Sequence, residues 1–150
     1  LLKEKAIEIA KTQLGVQEIP LNSNKGPQIK EYLKSVGLNE GYSWCMAFVY
    51  WCFKKASEDL KIVNSAIKTA GVLNAWNKAS SKIKSSTPEI GSIFIMDFGK
   101  GQGHTGIVES FDNLYINTIE GNSNDEGSRE GYEVCKRKRL RKTIKGYLIY

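Results

Sequence analysis

The stretch Trp44-Cys45-Met46-Ala47-Phe48-Val49-Tyr50-Trp51-Cys52-Phe53 is apolar on nearly every side, and it follows the loop of residues 38–43. A helix without a polar face belongs inside, so this segment, from about Trp44 to Ala56, predicts the buried central helix of the fold. Toward the N-terminus, Leu2, Ala6, Ile9, Ala10 and Leu14 recur at helical spacing, with Gly15 following as a C-cap. Residues 17–25 read as a loop. Gly26-Pro27 then opens a second helix carrying Ile29, Tyr32, Leu33 and Val36 on one stripe, and Gly37 closes it. A weaker helical pattern runs from Gly71 through Trp76 to Ala79.

After Pro88 the period changes. Residues 92–98, 104–111, 114–120, 132–140 and 146–150 read as strands separated by Gly, Asp and Asn clusters. Helices first and strands second predict an α+β fold, with N-terminal helices packed on a C-terminal antiparallel sheet. Residues 80–86 read as a surface link between the halves. A length of 150 residues with 41% hydrophobic residues fits one domain, 1–150, around one core.

The formal charge of +6 is concentrated. Lys136, Arg137, Lys138, Arg139, Arg141 and Lys142 carry six positive charges, and without them sixteen bases face sixteen acids. No apolar run has membrane-spanning length. The chain opens at Leu1 without a methionine, as a trimmed or mature form would, and no signal peptide is visible. Three cysteines do not make a disulfide framework. Cys45 and Cys52 are seven residues apart, a helical rise of roughly 10 Å, against the Cα separation of about 7 Å that a disulfide tolerates. A Cys52–Cys135 bridge stays open. With one histidine and no Cys-x-x-Cys pair, no metal site is expected, and nothing in the pattern calls for a cofactor.

Cys45 stands at a predicted helix start, where unpaired N–H groups and the positive dipole end favour a thiolate and can hold an oxyanion. Tyr42 or Ser43 would cap or precede that turn. The plainer alternative is a small buried hydrophobe, and Cys52 and Cys135 are read that way. His104 is the only imidazole and lies in Gly103-His104-Thr105-Gly106-Ile107-Val108-Glu109. Glu120-Gly121-Asn122 follows. A thiol, an imidazole and a carboxylate or amide are the parts of a cysteine nucleophile with its base and orienter.

Hairpin register bears on whether these parts meet. A two-residue loop at Asp112-Asn113 pairs Phe111 with Leu114 and sets His104 opposite Gly121. A three-residue loop, 111–113, pairs Ser110 with Leu114 and sets His104 opposite Glu120, with Asn122 on the same face. Both turns remain open on sequence alone.

Gln17-Glu18, Asn22-Ser23-Asn24-Lys25-Gly26-Pro27, Trp44-Cys45, the His104 strand and Glu120-Gly121-Asn122 together resemble the CHAP family of cysteine, histidine-dependent amidohydrolases/peptidases, relatives of NlpC/P60 and papain-like hydrolases. The resemblance implies a papain-like fold, with Cys45 as nucleophile, His104 as base, Glu120 as orienter and Asn122 in support. It also implies a bacterial or phage peptidoglycan hydrolase that cuts a wall-peptide amide, as an amidase or endopeptidase, secreted or in the cell envelope or phage-encoded. Tyr42 is a candidate second oxyanion donor, and Trp44, beside the nucleophile, is a candidate cleft wall.

The competing reading is a non-catalytic module that binds wall or nucleic acid through residues 136–142. A solvated strand face and edge is the plainer account of that stripe. Between the two, the stripe would hold an enzyme on anionic envelope polymers. Nucleic acid is the weaker partner.

Overall fold

The computed structural model describes residues 1–123 and 131–150. Four helices come first: α1 (Leu2–Thr12), α2 (Pro27–Ser35), α3 (Cys45–Leu60) and α4 (Val72–Lys78). Six strands follow: β1 (Lys84–Ser85), β2 (Ile93–Gly99), β3 (Gln102–Phe111), β4 (Tyr115–Ser123), β5 (Glu133–Leu140) and β6 (Gly146–Leu148). They form one sheet in the order β1-β6-β2-β3-β4-β5, with every pairing antiparallel. The expected α+β arrangement is present. The short strand β1 falls inside the segment read as a surface link, because its two residues pair with Tyr147 and Leu148.

The helices start and stop for local reasons. Pro27 at the first position of α2 lacks only a donor that the first turn would leave unpaired. Lys61 ends α3 in a left-handed conformation, φ 56°. Between those ends α3 buries Cys45, Met46, Ala47, Phe48, Val49, Cys52, Phe53, Ala56 and Ser57. It lies against α1 and α2 on one side and β3 and β4 on the other.

Strand alternation divides the sheet's apolar residues between two faces. Ile93, Ile95, Ile107, Ile119 and Leu148 join the helices in the main core. Phe94, Val108, Ile116 and Tyr147 form a second cluster. Cross-strand pairing puts Gly106 opposite Phe94 and His104 opposite Met96, on that second face. Among the described residues, no helix is long and apolar enough to cross a membrane.

The β3–β4 hairpin follows neither expected register. Phe111 pairs with Ile116, and the Asp112 N–H donates to the Tyr115 carbonyl, closing a turn around Asn113-Leu114. Asp112 Oδ1 accepts from the N–H groups of Leu114 and Tyr115, which fixes that turn. A bulge between Val108 and Ser110 then shifts the ladder, so that Val108 pairs with Thr118 and Ile107 with Ile119. Continued one step, this register sets Gly106, not His104, opposite Glu120.

Candidate active site

Cys45 is the first residue of α3, and Trp44 occupies the N-cap position without a side-chain cap bond. Tyr42 and Ser43 precede that turn and do not cap it. Trp44 is completely buried. Its indole N–H donates to Glu18 Oε2 at 2.7 Å, and its ring stacks on Tyr32 at 5.6 Å. Trp44 therefore belongs to the framework behind Cys45 and does not form an exposed cleft wall. Tyr42 is 55% exposed in the loop before α3.

Gly121 lets the start of α3 approach β4. A Cβ at this position would lie 2.7 Å from Phe48 Cβ and 2.8 Å from the Trp44 ring, so only glycine fits. The β4–β5 ladder shifts register between Glu120 and Ser123, and Asn122 within that irregularity has φ 54°. The strand is thus irregular where it meets the start of α3.

His104 and Glu120 are both fully buried, and His104 Nε2 lies 2.7 Å from Glu120 Oε1. Since Gly106 stands opposite Glu120, the carboxylate leans across it to reach His104. A Cβ on Gly106 would sit 2.7 Å from Glu120 Cγ, so the bare backbone makes this diagonal possible. The other ring nitrogen, Nδ1, is buried without a hydrogen bond of good geometry. It is the nitrogen left to face Cys45, which acts on the imidazole's protonation. Catalytic hydrogen bonds commonly tighten only with substrate bound.

Burial works to depress the His104 pKa. Hydrogen bonding to Cys45 and to Glu120, with attraction to both, outweighs it and raises the value to about 9. Burial similarly works to raise the Glu120 pKa, but Arg139 and then His104 hold the carboxyl down at about 2. The site favours an imidazolium beside a carboxylate.

Arg139, part of the basic stripe in sequence, belongs to the site in space. Its Nε donates to Glu120 Oε2 at 2.6 Å and its Nη2 to Oε1 at 2.7 Å. Thr118 Oγ1 donates to Oε2 at 2.6 Å, and Ser123 Oγ to Oε1 at 3.2 Å. Alternation explains the split. Cys135, Arg137 and Arg139 pair with Glu120, Thr118 and Ile116, whereas Lys136 and Lys138 pair with Ile119 and Asn117 on the other face. Lys136 instead reaches Glu109, and Lys138 lies over Tyr115. The stripe is continuous in sequence but divided in space.

Asn122 is fully buried, and both atoms of its amide lack a partner among the described residues. Cys52 and Cys135 are free thiols like Cys45, so the open Cys52–Cys135 bridge is not formed. Burial pushes the Cys52 pKa well up and the Cys135 pKa to about 11. Cys45, 4% exposed, retains a trace of contact with solvent. A groove lined by Glu109, Ser110, Asn117, Thr118, Lys136 and Lys138 opens elsewhere and holds none of the candidate catalytic groups.

A thiol at a helix mouth, an imidazole bonded to a clamped carboxylate and an α+β fold are thus found together. The CHAP domain model matches residues 37–122, more than half the chain, and the protein belongs to the CHAP domain family. Two solved structures share the fold. The crystal structure of Ly7917 has a TM-score of 0.57 at 16% identity, covering 97% of this chain and 61% of that one. The structure of Ly7917 with the hydrolyzing product of MDP has a TM-score of 0.55 at 17% identity, covering 97% and 62%. This chain thus spans about three-fifths of the length of those it matches. No curated protein sequence matches it.

Proposed function

We propose that the protein is a peptidoglycan hydrolase that cleaves an amide bond of the wall peptide through Cys45. The observation that carries this reading is the buried His104, bonded to Glu120 at 2.7 Å and coupled to the thiol at the start of α3. Membership of the CHAP domain family supports it. So does the likeness to a protein whose structure holds the hydrolyzing product of MDP.

In this mechanism the Cys45 thiolate attacks the amide carbonyl, and the Cys45 N–H at the helix N-terminus stabilises the resulting oxyanion. The imidazolium of His104 gives its proton to the leaving amine, and an acyl-thioester remains. Neutral His104 then takes a proton from water as the water attacks the thioester, releasing the acid and restoring the thiolate–imidazolium pair. Glu120 holds the ring and its charge throughout. The buried amide of Asn122 supports the site as a polar group, two residues along β4 from Glu120. Tyr42, exposed in the loop before α3, is the candidate second oxyanion donor, and the substrate places the action in the envelope or in a phage lysin.

Mass spectrometry of fragments released from purified peptidoglycan tests the reading. Wild type should expose new amine and carboxyl ends at one amide, and Cys45→Ala should release none. Cleavage of a glycosidic bond, or equal release by both proteins, would reject it.

A further inference from the structure

We propose that Arg139 is a positioning residue of this site: its guanidinium fork aims the Glu120 carboxylate across Gly106 at His104 and completes a buried row of opposite charges. The proposal rests on the reading of Cys45, His104 and Glu120 as one catalytic unit.

Arg139 lies on the outermost strand, β5, beyond residues 37–122 where the family match ends. Its side chain is 10% exposed and that of Glu120 is fully buried. Two parallel N–H bonds of 2.6 and 2.7 Å fix both oxygens of the carboxylate, and therefore its plane. Thr118 and Ser123 each hold one oxygen, but only the guanidinium grips both from a single rigid group. Phe94 packs against both partners, with its ring 5.7 Å from the guanidinium carbon and 6.0 Å from the imidazole centroid. Apolar walls of this kind strengthen each charge interaction that they enclose.

Charge balance gives the same answer. Thiolate, imidazolium and carboxylate alone would leave one uncompensated negative charge inside the protein, which is costly. The guanidinium makes the row neutral, with signs alternating from Cys45 to Arg139. A lysine would supply the charge but not the fork. The arginine's place on an edge strand is explained by the same alternation. Position 139 pairs with Ile116, so its side chain shares the face of Glu120.

The single imidazole makes the test direct, because 15N-histidine labelling yields a spectrum of His104 alone. Wild type should show an Nε2–H proton that is strongly deshielded and protected from exchange by burial. Arg139→Gln, checked for folding by circular dichroism, should lose that signal or move it upfield. Its Cys45 alkylation by iodoacetamide at pH 7 should slow about tenfold, the low end of what a positioned acid–base partner contributes. Arg139→Lys should recover only part of either loss. A folded Arg139→Gln with the wild-type signal and alkylation rate overturns the proposal.

Should Arg139→Gln not fold, Glu120→Gln/Arg139→Met removes both charges and avoids an unpaired one. The proposal expects the double variant to alkylate no more slowly than Glu120→Gln, since Arg139 acts only through Glu120. A further independent loss overturns it. Neither readout uses peptidoglycan, so the positioning role and the wall-hydrolase reading fail separately.

Discussion

Glu120 reaches His104 on a diagonal, over the backbone of Gly106, and not as its direct cross-strand partner. This relation makes a glycine part of the site's geometry. Gly106→Ala would place a methyl 2.7 Å from Glu120 Cγ, 2.8 Å from Phe94 Cε2 and 2.9 Å from the Ile119 carbonyl. We expect a stability loss of about 1–3 kcal/mol from overpacking. Turnover should fall about a hundredfold as the carboxylate is displaced. Urea unfolding and peptidoglycan release assays check the two parts separately. An active, stable Gly106→Ala would show that the carboxylate does not need this path.

Cys45 should be the most reactive thiol. Burial raises the pKa of Cys52 and Cys135, which lowers their thiolate fraction near neutral pH. Limited alkylation mapped by peptide mass should modify Cys45 first. Earlier modification of either other cysteine contradicts the assignment.

His104→Ala should abolish activity nearly as fully as Cys45→Ala, with losses of about a thousandfold or more and little further loss in the double variant. Independent multiplication of the two effects would mean that they do not share a step.

Glu120→Gln should damage the fold as well as the chemistry. It leaves the partly buried Arg139 without its carboxylate, and breaking a buried pair in this way typically costs about 3–5 kcal/mol. Chemical denaturation reads this directly. A loss under about 1 kcal/mol would show that the pair is more solvated than its burial indicates.

Stability should depend on pH on both sides. Glu120 is depressed from 4.5 to about 2, so its contribution is full above 4.5 and fades as pH falls toward 2. His104 is raised from 6.5 to about 9, so its contribution is full below 6.5 and fades as pH rises through 9. Urea midpoints should decline between pH 6.5 and 9 in wild type and stay flatter there in His104→Ala. An identical decline in both would assign it to other groups.

Replacing Lys136, Lys138 and Arg141 with glutamine should weaken binding to whole sacculi at low salt and flatten its salt dependence. Exposed charges are screened over roughly 8 Å at physiological salt, so the effect should fade there. Turnover of a small soluble muropeptide should hardly change. Loss of that turnover in a folded variant would tie these residues to the chemistry.

The elements were legible where one period dominated. The all-apolar run after Trp44, the Gly26-Pro27 helix start and the strands after Pro88 could each be read from spacing alone. The hairpin register could not, because the bulge after Val108 and the Asp112-anchored turn shift pairing in ways that composition does not encode. Trp44 looked like a cleft residue by its neighbour Cys45, but Glu18, 26 positions earlier, draws its indole inward. Arg139 was hidden among like charges. Only the β4–β5 pairing distinguishes it from Lys138, and such long-range pairing leaves no mark on a local pattern.

The clamp on Glu120 also bears on how the domain can be moved between proteins. Cys45, His104, Glu120 and Asn122 all fall within residues 37–122, yet Glu18 and Arg139 lie on either side of that span. A chimera cut at those limits would inherit every candidate catalytic side chain and lose the groups that hold Trp44 and Glu120 in place. The transferable unit is therefore wider than the recognisable one, running from at least the loop before α2 through β5.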